Sequence, residues 1–242
     1  MKSTQAKYPF VCVCSISITD NDILKLKASG IDCLRLTECA VDNVTIYEND
    51  NSLSHWKYTY DKLLLFGLTQ YDKIVYLDSD MMVMENIDEL FIHKSFSAVQ
   101  AGRLANKDWV RLNSGLMVIE PDVNAKNAML GLISDVYLSR KQEGLGTGDQ
   151  DVINEYFPEW SSHKELILPE SYNMIFKYID MYKRNFGFRY SNTKQNKTIK
   201  VVHFIGKKKP WNDGCIRKFL IALKLLISCS YCLKAYLKYI RF

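Results

Sequence analysis

The chain has 242 residues, 48% of them apolar and 24% charged. That length suits one large α/β domain or two small ones. The composition is ordinary for a globular protein and excludes a disordered, collagen-like or disulfide-stapled chain. The formal charge of +5 is uneven: residues 207–242 hold nine basic residues and one acid, a net +8, which leaves −3 for residues 1–206. Such asymmetry points to an anionic surface as a partner of the tail.

The first predicted strand runs from Phe10 to Ile18. Thr19 and Asp20 then offer a cap for a helix over Ile23–Ser29, Gly30 ends it, and Ile31–Leu36 reads as a second strand. Strand, helix and strand at this spacing make a βαβ unit, which requires a parallel pair. Trp56–Leu68 carries apolar residues at helical spacing. Lys73–Leu77 (KIVYL) is an apolar run that stops at Asp78 and reads as a central parallel strand buried on both faces. Helices are expected over Val123–Ser139 and Asp149–Phe157, and strands over Leu116–Ile119 and Val201–Phe204. Lys183–Lys200 is polar, basic and aromatic, and reads as a loop. The last predicted element is a helix over Ile216–Tyr239.

Seven cysteines in no framework spacing predict a reducing compartment. Cys229 and Cys232 form a lone C-x-x-C, read as two small apolar residues on a helix. No stretch reaches the ~18 apolar residues of a membrane span, and the N-terminal run lacks a cleavage pattern. The expected location is therefore cytoplasmic.

Asp78-Ser79-Asp80 directly after KIVYL is the strongest chemical signal. Two carboxylates at i and i+2 repel one another unless a cation neutralises them. A hard divalent metal bridging to a diphosphate meets that need, since it takes oxygen ligands and leaves positions for phosphate; a plain turn or helix cap is the other reading. His203 sits at the end of an apolar run and precedes Gly206, Lys207, Lys208 and Lys209. It fits either a satisfied core histidine or a metal ligand beside a phosphate-binding lysine. Asn113-Ser114-Gly115 and Gly148-Asp149-Gln150-Asp151 carry the side chains that hold sugar hydroxyls, yet a tight turn and an N-cap explain them locally. Lys62 fits a solvated helix face or a phosphate contact.

Taken in order, Thr59–Phe91, Leu112–Pro121, Gly148–Phe157 and Val201–Trp211 resemble the glycogenin-like branch of glycosyltransferase family 8. The resemblance covers residues 8–212. It implies a GT-A fold with a mostly parallel central sheet flanked by helices. It implies retaining transfer of a hexose from a UDP-sugar with Mn2+ or Mg2+. By block, Asp78, Asp80 and His203 would ligate the metal and Lys209 would contact the donor phosphates. Gly206, Lys62, Asn113 and Ser114 would line the donor pocket, and Asp149 and Gln150 would face the transferred sugar. The chain starts at the family's second strand, so the expected fold lacks the first βα unit, which leaves base recognition and activity open. A non-catalytic nucleotide-sugar-binding protein that kept the fold is the alternative. Self-glucosylation, which the resemblance also brings, would fall on the region of Tyr178 and Tyr182.

Residues 1–212 are read as the transferase domain and 213–242 as a basic amphipathic helical tail. In that tail Lys234, Lys238 and Arg241 recur on one face, below an apolar core at Phe219–Leu233. The tail reads either as a helix on an anionic membrane or as a core-packing helix with solvated lysines. The acceptor is an unidentified glycan, protein or lipid-linked sugar. A homodimer fits the resemblance. Nucleic acid does not fit, because the tail is too apolar and the body lacks a basic stripe with interleaved aromatics.

Overall fold

The computed structural model describes residues 5–41, 57–190, 197–206, 209–212, 214–228 and 230–240. The apolar run near the N-terminus forms β1 (Val11–Cys14). Thr19 accepts from the Asp22 amide at 3.2 Å and so caps α1 (Asp20–Ala28). Ser29 and Gly30 turn the chain into β2 (Asp32–Arg35), which pairs in parallel with β1, Cys12 opposite Cys33. The helical segment predicted next is a 3-10 helix, Lys57–Gly67. KIVYL becomes β3 (Ile74–Leu77), and the chain turns at the acid pair into β4 (Met81–Val83).

β5 (Ala98–Val99) and β6 (Asn113–Ile119) follow. Two helices come next, α2 (Val123–Gln142) and α3 (Asp149–Tyr156). The short strands β7 (Ile167–Leu168) and β8 (Met174–Ile175) precede α4 (Ile179–Phe186) and β9 (Val201–His203). The strands form three sheets: β1–β2, β3–β6–β5–β7 and β4–β9–β8.

The sheets are mixed, which corrects the expectation of a mostly parallel one. β1–β2, β5–β7 and β8–β9 are parallel, whereas β3–β6, β5–β6 and β4–β9 are antiparallel. KIVYL is an end strand of its sheet, and its residues are only half-buried. β6, by contrast, is buried on both faces. Its Met117 and Ile119 join a core with Tyr60, Leu63, Met129, Ile133 and Trp160. Leu116 and Val118 join another with Ile87, Leu90, Val99 and Val201. An apolar run reports burial, not strand direction; direction depends on where the chain returns.

Lys183–Lys200 is more ordered than a loop. α4 reaches into it and ends at Gly187, whose φ of +77° favours glycine. Phe188, Tyr190 and Ile199 are buried in a third core with Met82, Met174, Tyr182 and Val202. Tyr182 is fully buried and donates to the Glu170 carboxylate, which leaves no accessible hydroxyl for self-glucosylation at that position. The single predicted tail helix is two: α5 (Cys215–Ser228) and α6 (Ser230–Ile240). α6 seals the third core with Cys232 and Ala235. Cys232 is disulfide-bonded rather than merely packed, which the C-x-x-C reading did not anticipate; Cys229 lies outside the described residues. No helix among the described residues is long and apolar enough to cross a membrane.

Candidate active site

The acid pair stands where β3 turns into β4. The Asp78 amide donates to the Gly115 carbonyl at 2.8 Å, which ties the turn to β6. Antiparallel pairing sets Met81 opposite His203, and the Phe204 amide donates to the Asp80 carbonyl at 3.0 Å. This register carries the imidazole of His203 to the acids. Its Nε2 lies 3.1 Å from Asp80 and 3.8 Å from Asp78. One ligand atom each from Asp78, Asp80 and His203 fall within 4.8 Å of one another.

β6 makes room for the ring. A Cβ on Gly115 would stand 2.6 Å from His203 Cε1 and 2.8 Å from Met81 Cε, closer than carbon atoms approach. On the ring's far side, His203 Nδ1 pairs with Asn173 Oδ1 at 2.8 Å. That bond anchors the ring: with a proton on Nδ1, Nε2 would be free to ligate a cation, and without a cation Nε2 can instead carry a proton toward Asp80. Two carboxylates and one imidazole suit a hard-to-borderline divalent cation such as Mn2+ or Mg2+. The donor set and the anchored imidazole therefore fit the implied metal.

Two lysines balance the acids. Lys209 reaches Asp80 and donates to the Phe204 carbonyl at 2.7 Å. The chain gets back to Asp80 through a turn at Gly206, whose φ of +100° is a glycine conformation. Burial pushes the Asp80 pKa up, but hydrogen bonds and charge from His203 and Lys209 prevail and bring it to about 2. Lys62 lies 2.7 Å from Asp149 and 3.0 Å from Asp78, with its side chain only 8% exposed. Burial alone would lower its pKa, yet the two carboxylates outweigh burial and hold it above the usual lysine value.

A hydrogen-bonded frame links these groups. Ser114 donates to Asp149 at 2.6 Å and accepts from Lys62 at 3.1 Å. Asn113 donates to Gln150 Oε1 at 2.9 Å and accepts from Asn173 at 2.7 Å. The Gly148 amide donates to Asp151 at 3.1 Å, closing the first turn of α3. Tyr76 donates to Asp78 at 2.7 Å; burial foremost, then the Asp78 charge, raises its phenol pKa well above the ordinary value.

The frame walls a cavity of about 930 Å3. Asp78, Asp80, Lys62, Asn113, Ser114, Asp149, Gln150, Gly206 and Lys209 all line it, and His203 reaches the acids from behind. Sequence reasoning passed over Asn173 and Tyr76. Neither stands in a pattern that marks it, and their roles follow only from their distance to His203 and Asp78. Asp61 was also passed over; it accepts from Ser15 at 2.7 Å and from the Ala40 amide at 3.0 Å. Those bonds tie the β1 and β2 loops to the segment carrying Lys62.

Comparisons with known proteins bear on the family and the fold. Mouse glycogenin-1 is 36% identical over 160 residues, which cover 64% of this chain and 42% of glycogenin-1. Inositol phosphorylceramide glucuronosyltransferase 1 of Arabidopsis thaliana is 27% identical over 229 residues, 88% of this chain and 38% of that protein. The chain thus spans about two fifths of the length of these relatives. The galactosyltransferase LgtC, solved with donor and acceptor sugar analogs, superposes with a TM-score of 0.57 at 16% identity, covering 86% of this chain and 80% of LgtC. GlyE of Streptococcus pneumoniae TIGR4 gives 0.52 at 17% identity, covering 96% and 64%. At those identities the likeness is one of fold, an α/β GT-A-like fold. The profile of Glycosyl transferase family 8 matches residues 2–215, including every residue of the cavity wall named above, and the chain belongs to that family.

Proposed function

We propose that the chain is a metal-dependent retaining hexosyltransferase that moves a sugar from a UDP-sugar to a glycan, protein or lipid-linked acceptor. The observation that carries this reading is the meeting of Asp78, Asp80 and His203 with Lys209, Lys62 and Asp149 at a single cavity. Asp78, Asp80 and His203 would hold Mn2+ or Mg2+, which supplies Lewis-acid neutralisation of the diphosphate charge.

Departure of a nucleoside diphosphate builds negative charge on its phosphates. Lys209, which rests on Asp80, is a cation placed to meet that charge. Positive charge builds on the sugar carbon that is left. Asp149 is the carboxylate for that carbon, held in one orientation by Lys62 and Ser114. Gln150 accepts on its Oε1 from Asn113 and from the Ser114 amide. Its Nε2 donors are then the ones left for a sugar hydroxyl.

The test is UDP release from a panel of UDP-sugars, with Mn2+ or with a chelator. Manganese-dependent release is expected, with Asp80→Ala lowering it at least about a hundredfold. Release that is indifferent to chelator and to Asp80→Ala would overturn the reading. Manganese-dependent UDP binding without turnover of any donor would favour a nucleotide-sugar-binding protein that kept the fold.

A further inference from the structure

We propose that Arg111 and Arg140 form a receptor for the carboxylate of a sugar acid that enters the cavity. The inference deepens the transferase reading and rests on it for the nature of the site. Both arginines line the cavity, and so does Asp151, which they share. Arg111 stands two residues before Asn113, where β6 begins. Arg140 lies in the last turn of α2 and Asp151 in the first turn of α3. Three parts of the chain thus bring two cations to one carboxylate. Arg111 Nη2 lies 3.1 Å and Arg140 Nη1 3.2 Å from the same oxygen, Asp151 Oδ1. The other oxygen, Oδ2, accepts from the Gly148 amide.

Asp151 needs only one of these cations, since a single arginine neutralises it. The second leaves the group with a surplus positive charge on the cavity wall. Arg140 also donates from Nε to the Gly146 carbonyl at 2.9 Å. Among the described residues, Arg111 has no partner besides Asp151, and Nη2 of Arg140 has none. The unclaimed N–H groups belong to planar forks that match the two oxygens of an acid group. A plain structural bridge accounts for the contacts with Asp151 but leaves the second charge unexplained.

Charge and place select the ligand. A carboxylate carries one negative charge and cancels the surplus, whereas a phosphate monoester, near −2, overshoots it. Asp151 follows directly on Gln150, whose donors the transferase reading gives to a sugar hydroxyl. Asp149 is already paired with Lys62 and so does not oppose an incoming acid. Side-chain exposure climbs along this wall, from 9% at Asp149 through 13% at Asp151 and 25% at Arg140 to 48% at Arg111. The arginines therefore stand on the solvent side of the sugar position. A sugar acid can meet them there either as the transferred sugar or as the acceptor.

Calorimetric binding to the full chain with Mn2+ tests this in two arms. The donor arm compares UDP-glucuronate with UDP-glucose. The acceptor arm compares methyl glucuronoside with methyl glucoside on the chain loaded with UDP. In one arm the acid should bind at least about tenfold tighter than its neutral counterpart, and that arm names the source of the carboxylate. Arg111→Gln with Arg140→Gln should abolish the preference and leave the affinity for the neutral member within about twofold. Arg111→Lys should keep part of the preference, because it keeps the charge and loses the fork. Should the double variant melt early, Arg111→Gln alone, at the more exposed position, should lower the preference in the same direction. Equal or absent binding of acid and neutral members in both arms would overturn the proposal, as would a preference that the variants leave unchanged. UDP release measured alongside separates the two readings. A preference for the acid without release from any donor would sink only the transferase, and release without that preference only the receptor.

Discussion

Lys62 stands between the metal-side carboxylate and the sugar-side one, within 3.0 Å of Asp78 and 2.7 Å of Asp149. Both contacts are sheltered from water, so they are screened far less than surface pairs. Lys62→Met keeps the bulk of the side chain and removes its charge. The buried Asp149 carboxylate then loses its cation, a change that costs about 3–5 kcal/mol. For a chain of this size the melting temperature should drop by roughly 10 °C. Scanning calorimetry of the variant checks this, and an unchanged melting temperature would mean that Asp149 finds another partner. In the transferase reading, Asp149→Asn should keep the fold while slowing UDP release by at least about a hundredfold.

At the scale of elements, β6 and β9 together decide where the imidazole stands. Gly115 lies under the ring, and the space above it is full. Gly115→Ala should push His203 off the carboxylates and cost about 1–3 kcal/mol in stability. The informative readout is stabilisation by Mn2+. Wild type should gain melting temperature with Mn2+ and Gly115→Ala should gain little; an equal gain in both would remove His203 from the ligand set.

A second link between elements is sensitive to pH. Lys200, just before β9, reaches Glu89, which also accepts from Tyr172 at 2.7 Å. Burial raises the Glu89 pKa, but the bonds from Lys200 and Tyr172 outweigh it and hold it below the ordinary 4.5. A depressed carboxylate contributes stability that is present above its unfolded pKa and lost as pH falls through the folded one. Glu89 is partly exposed, so the contribution is about 1 kcal/mol or less. Urea melts should show wild type keeping its advantage over Lys200→Met above the ordinary 4.5 and losing it as pH falls through the lowered Glu89 pKa. A gap that stays constant with pH would argue that packing, not charge, links these elements.

For the molecule as a whole, the two tail helices do different work. α6 belongs to the core, with Ala235 fully buried beside Met82, Met174 and Val202. A chain ending after Ser228 should expose that core, bind a hydrophobic dye such as ANS, and melt at lower temperature. An intact melt without dye binding would show α6 to be dispensable.

Signals confined to neighbouring residues were legible from the sequence. KIVYL ending on Asp78-Ser79-Asp80 marked a strand and the turn after it, and Thr19 marked the start of α1. Four ordered blocks marked the family, because they record a shared chain path even where that path cannot be derived. Such features depend on backbone conformation, side-chain periodicity and caps, all of which act over a few residues. Partners brought from distant parts of the chain were not legible. Nothing local to Asn173 says that it will hold His203, and nothing in KIVYL says that its partner strand will run antiparallel. The tail read as one amphipathic helix because its apolar period is continuous. Only packing decided that α6 faces the core while α5 keeps its apolar stripe in solvent. A sequence states which surfaces need covering, and the tertiary path determines what covers them.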